Sequence, residues 1–485
     1  MASLATASLE NDVSVPKAGQ APRFSHTVLL TTSQVAKWCL RLIFVLVIAR
    51  AMGPEKFGAY ALIFAMIELL AVASGAGYVD YLTREAAKDE CLGWGLALQL
   101  TLLRIGIAIP VAAIEVGVLS LTRYPHAVLV GTAWMALTMI PRSVSESVQG
   151  VLRGIHRFGS FLLIELTLGG FLVAGAILLF MRQGGLGMAI YTELVAATAA
   201  GVAGLACMLK FKTKERIWLS LSYLLKRSAV FNAYSFVTSL YDRFDVVLLS
   251  KLVGDYSTGI YAVAYRALSM TQILPYGLLL SLLPALSRNP HGREERARLE
   301  KAMGLLLSAG FVVILTTIVF AGPAVHLLLG ASYAESVVAL KILIWAAILK
   351  YANYVLNIAL LAAGRERVFI RTFLVCLAVN LIGNVIFIPM YSWRAAAVLT
   401  IVTELVQLAQ NIYWVRRFVG EVAVPWGTAK ISVAFLALLA GSSLGAYLGS
   451  PVRAGTLCLL VFAAYLYFSG VLREFAAVWD VEGAR

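Results

Sequence analysis

Lys37, Arg41, Glu68, Arg104, Arg142, Glu146, Glu165, Glu193, Asp242, Asp245, Lys341, Lys350 and Glu404 all lie inside apolar stretches long enough to cross a bilayer. A charge at the centre of a membrane helix costs roughly 2.5–3.5 kcal/mol even on the lenient insertion scale, so such residues face a wet interior. This many of them imply a polar cavity that handles charged cargo. In the first stretch Ser33, Lys37 and Arg41 repeat at four-residue spacing, on one helical face. Arg142, Glu146, Gln149 and Arg153 share a face of the fourth, and Arg104 lies near the middle of the third. Arginine suits anionic cargo because its planar fork pairs bidentately with phosphate or carboxylate oxygens. The rival reading is structural: Glu68, Glu146, Glu165 and Glu193 balance Lys37, Arg41, Arg104 and Arg142, and Arg142 could pair with Glu146 one turn away.

The second half of the chain carries oxygen-rich groups. Ser235, Ser239, Asp242 and Asp245 run along the seventh stretch, Asn380 and Asn384 are one turn apart in the eleventh, and Thr400, Thr403 and Glu404 lie in the twelfth. Carboxylate, amide and hydroxyl oxygens are hard ligands of the kind Na⁺ takes, or the members of a proton relay. Against that, Arg243 and Arg266 could neutralise the two aspartates. Lys350, Asn353 and Asn357 share a face of the tenth stretch, where Lys350 is a further candidate for anionic cargo. No Walker loop, dinucleotide fingerprint, nucleophile elbow or His-rich metal motif is present, so the reading is of no enzyme, no nucleotide and no bound metal.

These side chains need a scaffold that holds them within a bilayer. Hydrophobic residues make up 60% of the chain and charged residues 14%, with a mean hydropathy of +0.85. Soluble domains carry about 25% charged residues, so the composition specifies an all-α polytopic membrane protein. About fourteen segments reach the length of a span at ~20 residues per crossing. They cover residues 27–49, 57–79, 92–120, 126–152, 158–181, 184–210, 228–252, 256–287, 299–321, 335–363, 367–389, 392–415, 427–449 and 453–474, with Pro323–Leu329 as a re-entrant or interfacial turn. Pro110, Pro141, Pro275 and Pro284 are expected to kink their helices. The net charge of +14 comes from basic loops between apolar segments, so it signals topology and contact with membrane lipids rather than nucleic acid. Those loops fall on one side, and both termini are therefore expected in the cytoplasm.

The basic linker divides the chain into residues 1–26 as a disordered cytoplasmic tail, 27–211 as a first lobe of six helices and 212–227 as the linker. Residues 228–420 form a second six-helix lobe, and 421–485 supply two additional helices and a short tail. The lobes are expected to be pseudo-symmetric around a central cavity. One internal echo supports this: Phe57-Gly58-Ala59-Tyr60 and Thr258-Gly259-Ile260-Tyr261 each place glycine two residues before tyrosine at the start of a helix. Gly58 permits close helix approach, while Phe57 and Tyr60 suit a membrane-interface belt.

The segment Ala49-Arg50-Ala51-Met52-Gly53-Pro54-Glu55-Lys56-Phe57-Gly58-Ala59-Tyr60 resembles the first-loop signature of polysaccharide-lipid flippases, the O-antigen and polysaccharide-transport branch of the multidrug/oligosaccharidyl-lipid/polysaccharide exporter superfamily. Asp242-Arg243-Phe244-Asp245, Gly259-Ile260-Tyr261-Ala262-Val263-Ala264-Tyr265-Arg266 and Ile388-Pro389-Met390-Tyr391 resemble further motifs of that family, over about residues 27–420. The last motif departs from the pattern, since Ser392-Trp393-Arg394-Ala395-Ala396-Ala397 lacks both glycines of its turn.

The resemblance implies a gradient-driven flippase that moves undecaprenyl-diphosphate-linked oligosaccharide across a bacterial inner membrane for O-antigen, capsule or exopolysaccharide assembly. It would act beside a polysaccharide polymerase and chain-length machinery. Lys37, Arg41, Arg104, Arg142 and Lys350 would then receive the diphosphate or an acidic sugar. By likeness to lipid II flippases, Asp242 or Asp245 with Asn380, Asn384 and Thr400 would hold a coupling Na⁺ or H⁺. The alternatives are a multidrug/cation antiporter of the same superfamily and a membrane glycosyltransferase or polysaccharide ligase. The latter generally needs a larger extramembrane loop than any connection here.

Overall fold

The computed structural model describes residues 24–75, 77–210, 219–276, 292–422 and 451–468, together with 282, 286, 432, 434, 435 and 438. The sequence readings on residues 1–23, on 212–218 of the linker, on most of 423–450 and on 469–485 lie outside the described residues. Pro284 does too.

Every regular element among the described residues is helical. A backbone in hydrocarbon must satisfy its own polar groups, and a helix does so within one segment. Helix α1 (Phe24–Ala73) covers the first two expected spans and is broken by a kink at Gly53, whose φ of 75° only glycine adopts freely. It is followed by α2 (Tyr78–Lys88), α3 (Glu90–Leu121), the pair α4 (His126–Ala136) and α5 (Met139–Gly154), α6 (Phe158–Met181) and α7 (Leu186–Lys210). The second half contains α8 (Leu221–Leu252), α9 (Asp255–Met270), α10 (Arg293–Leu328), a 3₁₀ turn (Ala331–Tyr333), α11 (Ala334–Leu343), α12 (Trp345–Ala362), α13 (Glu366–Tyr391), α14 (Trp393–Phe418) and α15 (Pro451–Phe468). Eight helices are long and apolar enough to cross a membrane, or nine if α4 and α5 form one bent span. The chain is a multi-pass membrane protein.

Several boundaries differ from the sequence reading. The α4–α5 span bends by 40°. Pro141 has no N–H to offer Leu137, its i−4 partner, so the ladder breaks there. The linker ends earlier than residue 227, because Ser220 caps α8 by accepting a hydrogen bond from the Tyr223 amide. Pro323–Leu329 is not a re-entrant turn: α10 runs through Pro323 to Leu328, and the reversal comes at Gly330, with φ of 89°. Phe57 and Tyr60 are buried rather than set in an interface belt. Ser392, where the resembled turn has glycine, sits at φ 55° and ψ −141°.

The two halves meet through α1, which packs against α8 and α9. The contact is reciprocal. A Cβ at Gly58 would overlap the carbonyl of Asp255, and a Cβ at Gly259 would overlap that of Pro54. One offset in the chain relates Arg50 to Lys251, Gly53 to Gly254, Gly58 to Gly259 and Tyr60 to Tyr261. Gly254 repeats the left-handed backbone of Gly53, with φ of 101°. The two cations reach across in opposite senses. Arg50 donates to the Leu327 carbonyl in the last turn of α10, and Lys251 donates to the carbonyl of Thr122, which caps α3. Tyr333 adds a hydrogen bond to the Ala49 carbonyl at 3.0 Å. The molecule is thus held together at the end opposite the one that carries Lys210, Arg293, Arg365 and Arg416, here called the basic end.

Candidate functional site

In the first half, each cation expected to meet cargo has a carboxylate of its own. Lys37 Nζ lies 2.9 Å from Glu165, and Arg41 Nη2 lies 2.7 Å from Glu193, which also accepts from the Tyr60 hydroxyl. The fully buried Arg104 donates to Glu146 at 2.6 Å. Arg142 spans Glu68 at 3.1 Å and Glu146 at 3.3 Å, the latter one helical turn away. These pairs join α1 to α5, α6 and α7, and α3 to α5, so they tie the first six spans together whatever else they do. Arg104 keeps two buried nitrogens, Nε and Nη1, without a protein partner.

A cavity of about 700 Å³ lies mainly in the second half. It is lined by residues of α8, α9, α12, α13 and α14, and Asp80 of α2 joins its wall toward the basic end. Lys350 of the predicted set lines it; Lys37, Arg41, Arg104 and Arg142 do not. Lys350 is also paired, at 2.7 Å from Glu404. Glu404 accepts in addition from Tyr241 at 3.2 Å and Asn353 at 3.0 Å, and Asn353 accepts from Asn411 at 3.1 Å. That network satisfies itself.

Arg243 and Arg266 differ from all of these. Both line the cavity, and neither has a carboxylate within salt-bridge distance among the described residues. Their guanidinium carbons lie 5.6 and 5.8 Å from the centroid of the Phe64 ring, and that of Arg41 lies 4.4 Å from it. Three guanidinium groups from α1, α8 and α9 therefore surround one ring where the two halves meet, with only Glu193 in an ion pair to any of them. Cation–π contact of this kind is worth about 0.5–2 kcal/mol and leaves the N–H forks free to donate. The alternative reading of Arg243 and Arg266 as counter-charges to the aspartates is not what the geometry shows.

The aspartates separate. Asp245 is 4% exposed and accepts from Asn384 at 2.7 Å and from the Tyr261 hydroxyl at 2.9 Å. Tyr261 lies 3.1 Å from the Thr400 hydroxyl, and Asn384 donates to Asn380 at 2.9 Å. Asn380, Asn384 and Thr400 thus lie about Asp245, while Asn384 Oδ1 is buried without a partner. Asp242 points elsewhere, into the cavity, where it accepts from Tyr265 at 3.3 Å. A buried carboxylate without a counter-cation is costly, and the hydrogen bonds from Asn384 and Tyr261 offset part of that cost.

The sequence profile described as polysaccharide biosynthesis protein matches residues 25–289. The chain belongs to that family. Among its relatives, the probable low-salt glycan biosynthesis flippase Agl15 of Haloferax volcanii is 20% identical over 389 residues, which cover 77% of this chain and 79% of that protein. The capsular polysaccharide biosynthesis protein CapF of Staphylococcus aureus is 25% identical over 175 residues, 35% of this chain and 44% of CapF. The fold is similar to that of the lipid II flippase MurJ in an inward closed conformation, with a TM-score of 0.70 at 15% identity over 91% of this chain and 99% of MurJ. An inward-facing multidrug resistance MATE transporter follows, with a TM-score of 0.63 at 14% identity over 81% of this chain and 97% of the other. Membership in the polysaccharide biosynthesis family agrees with the first-loop signature.

Sequence reasoning named Tyr261 in the internal echo but not as a site residue, and did not single out Phe64. Tyr261 was within reach, because its counterpart Tyr60 was visible in the repeat. Phe64 was not, since nothing in an apolar segment marks the one aromatic ring that three distant arginines share.

Proposed function

We propose that this protein flips an undecaprenyl-diphosphate-linked oligosaccharide from the cytoplasmic to the outer leaflet of a bacterial inner membrane, supplying O-antigen, capsule or exopolysaccharide assembly. The observation that carries the reading is the pair Arg243 and Arg266 on the cavity wall, cationic and without a carboxylate partner. A diphosphate offers them several anionic oxygens, and charge-assisted hydrogen bonds are worth about 1.5–3 kcal/mol each. Arg41, Arg104, Arg142, Lys37 and Lys350 are each balanced by a glutamate, so in this conformation Arg243 and Arg266 are the cations open to cargo. With both termini cytoplasmic, the basic end faces the cytoplasm, and the cavity extends toward the side on which the lipid-linked repeat unit is made.

Alternating access then opens the end held by Arg50 and Lys251. Asp245, with Asn380, Asn384, Thr400 and Tyr261, supplies an oxygen set that suits Na⁺ or a proton, and its occupancy would couple the cycle to an ion gradient. Polymerase and chain-length proteins would act on the product.

Deletion of the gene in its own host, complemented with wild type or with Arg243→Ala/Arg266→Ala, tests the reading. Wild type is expected to restore the surface polymer. The double variant is expected to reach the membrane at normal abundance while undecaprenyl-diphosphate repeat units accumulate. Unchanged polymer after deletion, with new sensitivity to cationic dyes, would instead assign the protein to drug export.

A further inference from the structure

We infer that a second, apolar pocket beside the arginine cluster receives the first isoprene unit of a prenyl-diphosphate cargo; the inference rests on the flippase reading above. The pocket has a volume of about 100 Å³ and lies where the two halves meet. Leu42 and Leu46 of α1, Val263 and Ala267 of α9, and Ala324 and Leu328 of α10 form its walls. Of the described residues that line it, Arg266 is the only charged one. The one hydroxyl, that of Ser336, is already spent on the Ile260 carbonyl at 3.1 Å.

Arg266 also lines the main cavity. On α9, Tyr265 and Ser269 border the cavity, whereas Val263 and Ala267 border the pocket. Their helical spacing puts the two spaces on different sides of α9, with Arg266 at the edge between them. The pocket reaches from there to the last turn of α10, where the Leu328 carbonyl accepts from Arg50 at 3.3 Å. It therefore lies between the arginine cluster and the closed end.

That edge decides what can occupy both spaces. An arginine presents an apolar stem and a charged fork. The fork of Arg266 has no carboxylate in salt-bridge contact among the described residues and is open to an anion. The pocket beside it would leave a hydroxyl or an amide unpaired, so it favours hydrocarbon. A ligand that suits the two together is an anion with hydrocarbon joined directly to it. A prenyl diphosphate has that form, since its carbon chain begins at a diphosphate oxygen. Size agrees: an apolar cavity of about 150 Å³ takes up benzene, so about 100 Å³ suits a branched five-carbon unit. Leu328 is 46% exposed at the rim, which leaves the rest of a long chain a way out between α1 and α10.

The test uses the purified full-length protein in lipid nanodiscs. A geranyl diphosphate analogue with a photoreactive diazirine on its first isoprene unit is crosslinked, and the labelled peptides are mapped by mass spectrometry. Label is expected on residues 42–46 and 324–329, and it should fall about tenfold or more in Arg243→Ala/Arg266→Ala. Dimethylallyl diphosphate is expected to bind wild type about ten- to hundredfold more tightly than methyl diphosphate, as burial of four further carbons allows. Ala267→Leu, which fills the pocket, should remove most of that gain while methyl diphosphate binds as before. Should Ala267→Leu fail to fold, Ala324→Leu fills the same space from α10. Equal binding of the two small probes by wild type overturns the isoprene pocket, as does label confined to the main cavity. Pocket label that persists at full strength in Arg243→Ala/Arg266→Ala overturns it too, and would assign the space to bilayer hydrocarbon. Methyl diphosphate binding that ignores the double variant overturns the flippase reading itself, as does no binding of either small probe.

Discussion

Arg104 and Arg266 look alike in the sequence, each an arginine within an apolar helix, yet their surroundings predict opposite phenotypes. Arg104 is fully buried against Glu146 at 2.6 Å. Glu146→Ala would leave that guanidinium without its counter-charge, and breaking a buried pair from one side costs about 3–5 kcal/mol. The protein itself should therefore be depleted from the membrane, as an immunoblot of membrane fractions would show. Arg266→Ala removes a charge with no carboxylate in salt-bridge contact among the described residues, so abundance should hold while transport falls. Asp245→Asn keeps the shape of the side chain but cannot become anionic. Flipping by this variant in vesicles should lose its dependence on an imposed Na⁺ or proton gradient, and a gradient response equal to that of wild type would remove the coupling role. The residue types and helical faces behind these predictions were legible in the chain. Pairing was not, because whether Arg104 meets cargo or Glu146 depends on how two helices rotate against each other. The composition of four cations and four glutamates only showed that both outcomes were open.

At the scale of the element, the helical spans were legible because a bilayer admits so few backbones. What escaped was continuity. Proline and glycine mark where a helix could break, and the outcome depends on the partners that re-satisfy the freed groups. Pro141 bends its span, whereas Pro323 is carried within α10. The Gly-x-Tyr echo was the most useful signal, since Gly58 and Gly259 lie on each other's helices with no room for a side chain. Gly58→Val should cost at least the 1–3 kcal/mol typical of overpacking, because its obstacle is a backbone carbonyl that cannot rotate away. Melting of the detergent-solubilised protein would report it. The opposite sign is expected at Ser392, which holds a backbone conformation that glycine adopts more easily. Ser392→Gly should stabilise by about 1 kcal/mol, less what is lost with the 2.9 Å hydrogen bond to Ser257.

For the whole molecule, the decisive arrangement is the reciprocal closure of one end. Arg50 from the first half holds the C-terminal turn of α10, and Lys251 from the second half holds the cap of α3. Each places a positive charge at the negative end of a helix dipole, worth about 0.3–1 kcal/mol when exposed. Neither alone is large against a conformational equilibrium, but the two are related by the repeat and break together when the halves separate. The Gly58–Gly259 contact supplies shape complementarity at the same end, so the charges adjust how long it stays shut rather than whether it can shut. Arg50→Ala with Lys251→Ala should accordingly shift the ratio of closed to open forms by roughly 3- to 30-fold, with each single change giving about half of that free energy. Spin labels placed on either side of the closed end would read this as a growing long-distance population in pulsed electron resonance. A double variant whose distances match wild type would mean that the glycine contact holds the end closed unaided. If the population does shift, the free energy that opens the closed end lies in a handful of cross-half bonds, small enough for a ligand on Arg243 and Arg266 or an ion at Asp245 to overcome.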